Sequence, residues 1–550
     1  MAVSHLPPGT VAASEPGSGP SDPLLPSRRA AATGGWRSAL FIIWVEVAER
    51  FAYYGISSNL INYLTGPLGE TTAAAAAAIN VWSGVASMLP LLGAAVADSW
   101  LGRYRTIVVS SVLCIVGMGL LALSSTFASS HSQQCSDGRG LCRPSSLQTA
   151  FFYVSLYLVA IAQSGHKPCV QAFGADQFDA TDPGESSSRS SFFNWWYLGV
   201  CASGIVTAVL MSYVQDNISW SIGFGVPCMV MLLALVVFLL GTPTYRFYDG
   251  DSGGAHGDVA GTFSLVGKAA FRAWRKRSRE GSAAFVEVEP GECAENDVLE
   301  EFRGLTRLFP IWATCLLYGV VFAQPSTLFT KQAATLDRRI GTSSSFQVPP
   351  AALQSFLGVS IVTSVLLYDR VLVPVVRRVT GVATGITTLQ RIGVGIALSL
   401  AALVVAALVE MKRLSAARDT GVVDNPGAAV PMSLWWIVPQ YVLLGAADVF
   451  TMVGMQEFFY DQMPVALKTL GLALYLSVLG VGSFISSFLI SAIDGVTRRN
   501  GGTSWFADDL NRGHLDYFFL LLAALTVLEL PAYIYFATSY IYIGRGFNAH

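Results

Sequence analysis

Residues Phe41 to Ile56 read "FIIWVEVAERFAYYGI", a run apolar enough for a membrane helix but interrupted by Glu46, Glu49 and Arg50. A charged side chain at the centre of such a helix costs about 2.5–3.5 kcal/mol even on lenient scales, so three of them need a reason. Their spacing of i, i+3 and i+4 puts all three on one helical face, which continues to Tyr53 and Tyr54. Phe41, Ile42 and Val45 lie on the opposite side, free to meet lipid or other helices. A lone carboxylate turned to hydrocarbon would simply take up a proton. Beside Arg50, two carboxylates instead form a site whose hold on a proton can be tuned. The competing reading is a structural ion pair that locks the helix to its neighbours. Two acids to one base leave one carboxylate short of a partner, which favours proton handling.

The rest of the chain supports a membrane setting. Of its 550 residues 53% are hydrophobic and only 13% charged, and the mean hydropathy is +0.51. A soluble chain carries about 25% charged residues. The net charge of −2 gives no reason to expect a nucleic-acid partner. A membrane helix needs roughly 20 mainly apolar residues. Windows of that kind occur at 38–64, 73–97, 105–126, 149–173, 192–214, 219–241, 306–326, 350–374, 385–409, 433–456, 468–491 and 514–540. The expected fold is therefore an all-α polytopic membrane protein of about twelve helices. A polar insertion at 242–305, with the basic amphipathic segment "FRAWRKRSRE" (Phe271 to Glu280), divides the windows into halves at 37–241 and 306–540. Residues 1–36 and 541–550 read as tails. The first has the composition of a disordered segment, lacks the apolar core of a signal peptide, and contains "SDPLLP", a dileucine-like sequence. Lysine and arginine placement puts both termini in the cytosol, with the central linker carrying much of the bias. The eight cysteines include no metal-type spacing; Cys135 and Cys142 share one polar loop, where a disulfide and two free thiols are equally compatible with the sequence.

Other polar residues inside the windows mark candidate sites. Lys167, in "AIAQSGHKPCVQAFGADQFD" (Ala160 to Asp179), is a partner for the first-helix charges, completing two acids and two bases. His166 beside it reads as a satisfied packing histidine. In the tenth window Asp448 lies mid-helix and faces a cavity or a base, while Glu457 reads as an end-of-helix residue bonded to the next loop. Gln324 and Gln354 either line a central cavity or hydrogen-bond a neighbouring helix. There is no HExxH or Walker loop, and the six histidines are too scattered for a membrane metal site. An enzyme is therefore not expected, nor a metal or other cofactor beyond the proton itself.

At this point the motifs resemble a known family. "ExxER" at Glu46, Glu49 and Arg50, then "FAYYG", is similar to the proton-coupled oligopeptide transporters, and most closely to their plant nitrate/peptide branch. The same resemblance runs through "ADSWLGRYRT" (97–106), "GHKPCVQAFGADQFD" (165–179), "SFFNWWYLG" (191–199), "QEFFYDQ" (456–462) and "WFADDLNRGHLDYFFLLLA" (505–523). It implies a major-facilitator fold, two six-helix halves around a central cavity that alternates between outward- and inward-open forms. It implies that Glu46, Glu49, Arg50 and Lys167 couple protons to transport, and that Tyr53 and Tyr54 line the substrate site. It also implies a cytoplasmic gate at "GRYRT", with Asp98 and Arg103 as its charges and Thr106 as a candidate phosphorylation site. Two departures bear on the cargo. The tenth helix carries Asp448 where peptide carriers place a glutamate, and the seventh carries Phe322 where acids or a nitrate-linked histidine occur.

The expected function is proton-coupled symport of nitrate, small peptides or another small organic solute such as a hormone or metabolite, in the plasma or vacuolar membrane. The alternative is a proton-independent facilitator or exchanger, or a non-transporting sensor of the same fold. The partners expected are the solute, protons and the lipid bilayer; the sequence leaves the oligomeric state open.

Overall fold

The computed structural model describes residues 33–135, 145–179, 182–247, 307–339, 346–380, 386–425, 428–463, 468–499 and 503–540. The dileucine-like sequence, the basic segment of the linker, Cys142 and the C-terminal tail lie outside these residues, as does the side chain of Cys135. The described chain is built almost wholly of helices. These are α1 (Gly35–Ser57), a short α2 (Leu60–Thr65), α3 (Thr72–Val96), α4 (Arg103–Cys135), α5 (Ser146–Ala175), α6 (Pro183–Asn217) and α7 (Trp220–Leu240). After the linker come α8 (Arg307–Ala334) and α9 (Pro350–Arg378), both interrupted spans. Then follow α10 (Thr388–Asp419), α11 (Val438–Asp461), α12 (Lys468–Arg499) and α13 (Leu515–Ser539). Eleven of these are long and apolar enough to cross a membrane. The remaining long helix is α1, whose charges lower its hydropathy but which still runs 23 residues, enough for a crossing. Six crossing helices therefore precede the linker and six follow it.

Local chemistry sets the helix ends. Ser145 caps α5 and Thr387 caps α10, each in a reciprocal pair with the glutamine three residues on. Gly102, at φ 74°, ends the π turn Ala97–Leu101 so that α4 can start back through the bundle. Pro325 removes a backbone donor inside α8, and the chain there widens into the π turn Pro325–Phe329. Large apolar side chains such as Leu92, Val154, Leu233 and Leu528 point outward, as expected where the surrounding solvent is lipid. Two short strands, Leu336–Asp337 and Val430–Ser433, pair at the end of the bundle where α2 lies.

Hydrogen bonds that join the halves gather toward that same end. Lys331 Nζ donates to Thr65 Oγ1 at 2.7 Å, Gln354 Nε2 to the Ser58 carbonyl at 2.7 Å, and the Thr72 N–H to Asp508 Oδ1 at 3.0 Å. Deeper in, Asn80 Nδ2 donates to Ser486 Oγ at 2.9 Å. One turn further, α3 and α12 touch backbone to backbone, because a Cβ on Gly84 would stand 3.0 Å from the Gly480 carbonyl. At the opposite end, ion pairs form within each half: Arg103 with Asp176, Arg246 with Glu185, and Arg391 with Glu457. The bundle is thus tied across its halves at the α2 end.

Candidate functional site

Glu46 and Glu49 are each only 1% exposed on α1, the face of that helix turned into the first half. Arg50 Nε donates to Glu46 Oε1 at 2.8 Å. The same nitrogen lies 2.9 Å from Glu49 Oε2, off the N–H direction, so Glu49 makes a charge contact without a hydrogen bond. Glu46 Oε2 and both Glu49 oxygens are left without hydrogen-bond partners. Buried polar atoms are nearly always paired, so this carboxylate pair holds unused capacity to bind a proton.

The opposing wall is α5. Pro168 has no N–H for the Ser164 carbonyl, and α3 closes on that bare carbonyl. A Cβ on Gly93 would lie 2.0 Å from it. On the α4 side, a Cβ on Gly165 would lie 2.4 Å from Ser110 Oγ. These contacts pin the His166–Lys167 turn against α1. The Lys167 ammonium stands 4.8 Å from the centroid of the Tyr53 ring, a cation–π contact, and makes no ion pair within 4.0 Å among the described residues. The expected four-charge group is therefore present in one place, with Lys167 held on the aromatic ring and not on a carboxylate. His166 departs from its sequence reading. Its Nδ1 is 4.0 Å from Glu46 Oε2, and neither ring nitrogen has a hydrogen-bond partner. Among the described residues the ring therefore has a charged neighbour but no direct hydrogen-bond partner. The signal available in the sequence was only its position next to Lys167.

Tyr53 stacks on Trp82 and meets Tyr54 edge to face, with ring centroids 5.6 and 5.5 Å apart. Tyr54 packs on Gly204 of α6. From the second half, buried Asp448 accepts a short hydrogen bond from the Tyr318 hydroxyl and lies within electrostatic reach of Tyr54 and Tyr475. Asp448 thus faces the Tyr53–Tyr54 wall across the bundle. Phe322 packs partly buried against the core.

Gln324 and Gln354 take the second of their two sequence readings, hydrogen bonds to neighbouring helices. Gln324 is fully buried and donates to the Val320 carbonyl at 2.7 Å and to Ser486 Oγ at 3.2 Å. It fills the donor gap around the α8 break. Gln354 bonds Ser58 O and Thr330 Oγ1, so it ties the halves and does not line an open cavity. Glu457 pairs with Arg391 of the preceding helix, at 3.6 Å, and residues 464–467 of the loop that follows lie outside the described residues. In the expected gate, Arg103 pairs with Asp176 at the foot of α5, while the Asp98 side chain lies outside the described residues. Thr106 is 4% exposed and donates to the Gly102 carbonyl at 2.9 Å, so a kinase would need that turn opened. A cavity of about 580 Å³ at the α2 end is lined by Lys331, Asp337, Arg338 and Asp508, apart from the α1 charges. Ligand atoms of Glu46, Glu49 and His166 come within 4.8 Å of one another, a spacing a cation could use. The Arg50 guanidinium already supplies the positive charge there.

Sequence reading also missed Glu410 and Arg413, both fully buried on α10. Arg413 donates to Glu410 Oε1 and Oε2 at 2.6 and 2.9 Å, to Asn511 Oδ1 at 2.7 Å and to the Leu510 carbonyl at 2.8 Å. Gln332 Nε2 completes the carboxylate at 2.8 Å.

Residues 104–506 match the model of the PTR2 family, described as the POT family. Among curated relatives, Protein NRT1/PTR FAMILY 5.10 of Arabidopsis thaliana is 54% identical over 92% of this chain and 93% of its own length. Protein NRT1/PTR FAMILY 5.16 of the same plant is 50% identical over 93% and 94%. Among solved structures, an auto-inhibited POT family peptide transporter superposes with a TM-score of 0.69 at 21% identity, covering 93% of this chain and 99% of that one. The POT family transporter PepTSo gives 0.67 at 20% identity, over 92% and 98%. The chain belongs to the POT (PTR2) family, among the plant NRT1/PTR proteins, and is a multi-pass membrane transporter of major-facilitator fold, not an enzyme.

Proposed function

We propose that this protein is a proton-coupled symporter that carries nitrate, a small peptide or another small organic solute across the plasma or vacuolar membrane, with both termini in the cytosol. The observation that carries the reading is the buried Glu46–Glu49–Arg50 cluster with its unpaired carboxylate oxygens, set one helix turn from the Tyr53–Tyr54 wall. A proton reaching Glu46 or Glu49 from the outer or luminal side removes one negative charge and loosens the hold on Arg50. Arg50 and Lys167 then rearrange toward the solute, and the bundle occludes around it. Coupling requires that proton and solute favour the same conformational change. In this reading the ties between halves at the α2 end lie on the outer or luminal side, which supports an inward-open form. The Tyr318-bound Asp448 supplies the second half's polar contact to the cargo.

The test is uptake in oocytes at acid pH, with labelled nitrate, dipeptides and plant hormones, in the presence and absence of a protonophore. Glu49→Gln is expected to abolish acid-driven accumulation while the protein still reaches the membrane. Normal acid-stimulated uptake in that variant, or wild-type uptake indifferent to the protonophore, rejects proton coupling and leaves a facilitator or exchanger.

A further inference from the structure

His166 is a buried titratable group beside the α1 charges that this mechanism does not use. A neutral imidazole carries one N–H donor and one lone pair, and buried histidines normally pair both. Here the ring is 1% exposed and neither nitrogen is paired. Gln163, three residues earlier on α5 and therefore on the same face, is fully buried with its amide nitrogen and oxygen also unpaired. Across from them stand the unpaired Glu46 Oε2 and Glu49 oxygens. Among the described residues, seven of the twelve unpaired buried side-chain atoms of the first half thus belong to Glu46, Glu49, Gln163 and His166. The closest approach is the 4.0 Å between His166 Nδ1 and Glu46 Oε2, a gap that a single water closes.

The surroundings of the ring are specific. On α1 it faces Glu46, Glu49 and Arg50, and on its own helix Lys167 follows it. On α4 the neighbours are Thr106 and Ser110, which pack at Gly165, and Cys114, which lies within reach of Glu49. The α3 sequence from Thr72 to Val96 has no ionisable side chain. On α6 the contact to α5 is at Phe192 and Gly174, and Glu185 near that end is held by Arg246.

We propose that His166 is a second proton-carrying group of the coupling site, taking the transported proton from Glu46. The inference rests on the symport reading above. In the step, the proton leaves the Glu46 carboxyl, which becomes a carboxylate and re-forms its pair with Arg50. The Nδ1 lone pair of the neutral ring accepts the proton, giving an imidazolium. The ring returns to neutral by releasing its Nε2 proton toward the open end. Such a relay resets the Glu46–Arg50 pair without requiring the proton to leave through the carboxylates.

The experiment needs no cargo, because the probe is the proton. The full chain is reconstituted in liposomes on a solid-supported membrane, and the charge displaced by an acid jump is recorded against pH. The unmodified chain should give a transient whose pH profile needs two ionisations. His166→Asn and His166→Gln, which keep a polar side chain that does not titrate, should reduce the profile to one ionisation. They should also cut the displaced charge at least twofold, with an unchanged melting temperature. A wild-type amplitude and profile in either folded variant overturns the relay, as does a single-ionisation profile in the unmodified chain. A variant that melts lower but keeps the wild-type profile shows a structural histidine and also overturns it. Absence of any transient in the unmodified chain rejects the symport reading itself, which separates the two failures.

Discussion

Each half of this bundle contains a buried glutamate–arginine contact on a single helix, and the two are finished differently. On α10 the carboxylate and guanidinium of Glu410 and Arg413 are enclosed at 0% exposure, and Gln332, Asn511 and the Leu510 carbonyl take up what the pair leaves over. On α1 the guanidinium of Arg50 serves two carboxylates through one nitrogen, and three of their oxygens have no hydrogen-bond partner. The same residue types therefore do opposite work. A closed network resists any change of charge, because each proton added or removed breaks a buried hydrogen bond. An open one can change charge with little loss, which is what the proposed coupling role requires.

Breaking the closed pair should have the largest effect. Arg413→Ala leaves Glu410 buried without its counter-charge, and removing one partner of a buried pair costs about 3–5 kcal/mol. The expected outcome is loss of monodisperse protein in detergent or a large fall in melting temperature, with Arg413→Ala/Glu410→Gln recovering part of it. A variant as stable as wild type would erase the contrast between the halves. Glu49→Gln is expected to do the reverse: a melting temperature equal to or above wild type, since it neutralises a carboxylate that has no hydrogen bond to lose, together with the loss of acid-driven uptake.

A third variant calibrates both against a partly exposed pair. Glu185 accepts from Arg246 Nη1 at 2.9 Å and from the Asp179 N–H at 2.5 Å, and these bonds, the arginine's first, hold its carboxyl below the usual range. With about a third of the side chain exposed, the pair is worth at most about 1 kcal/mol. Because the folded carboxyl sits lower than the unfolded one, its contribution is complete above the unfolded value near 4.5 and fades as pH falls through the folded value. Glu185→Gln should therefore melt slightly lower than wild type at pH 7, and the two curves should converge under strong acid. A difference that grows toward acid would contradict the assignment.

The legible part of the chain was its local chemistry. Long apolar runs give the helix count, because a membrane leaves backbone groups no partner but their own helix. The spacing of Glu46, Glu49 and Arg50 gives their common face for the same geometric reason. The window drawn at 385–409 ended early because Glu410, Lys412 and Arg413 look like the start of a loop, whereas α10 continues to Asp419. The charges of Glu410 and Arg413 are accommodated there by Gln332 and Asn511, each far away in the chain.

Tertiary structure alone decided the rest. His166 and Lys167 are neighbours in the chain, yet one faces Glu46 and the other Tyr53, an outcome set by how closely Gly93 and Ser110 let α3 and α4 press on α5. Gln324 and Gln354 looked alike as polar residues in apolar helices, and only the approach of Ser486 and Ser58 made one a filler of a helix break and the other a tie between halves. Sequence by itself determined which residues carry charge into the membrane and on which helical face. Which of those charges are fully bonded, and which keep room for a proton, depends on side chains that meet only when distant helices pack.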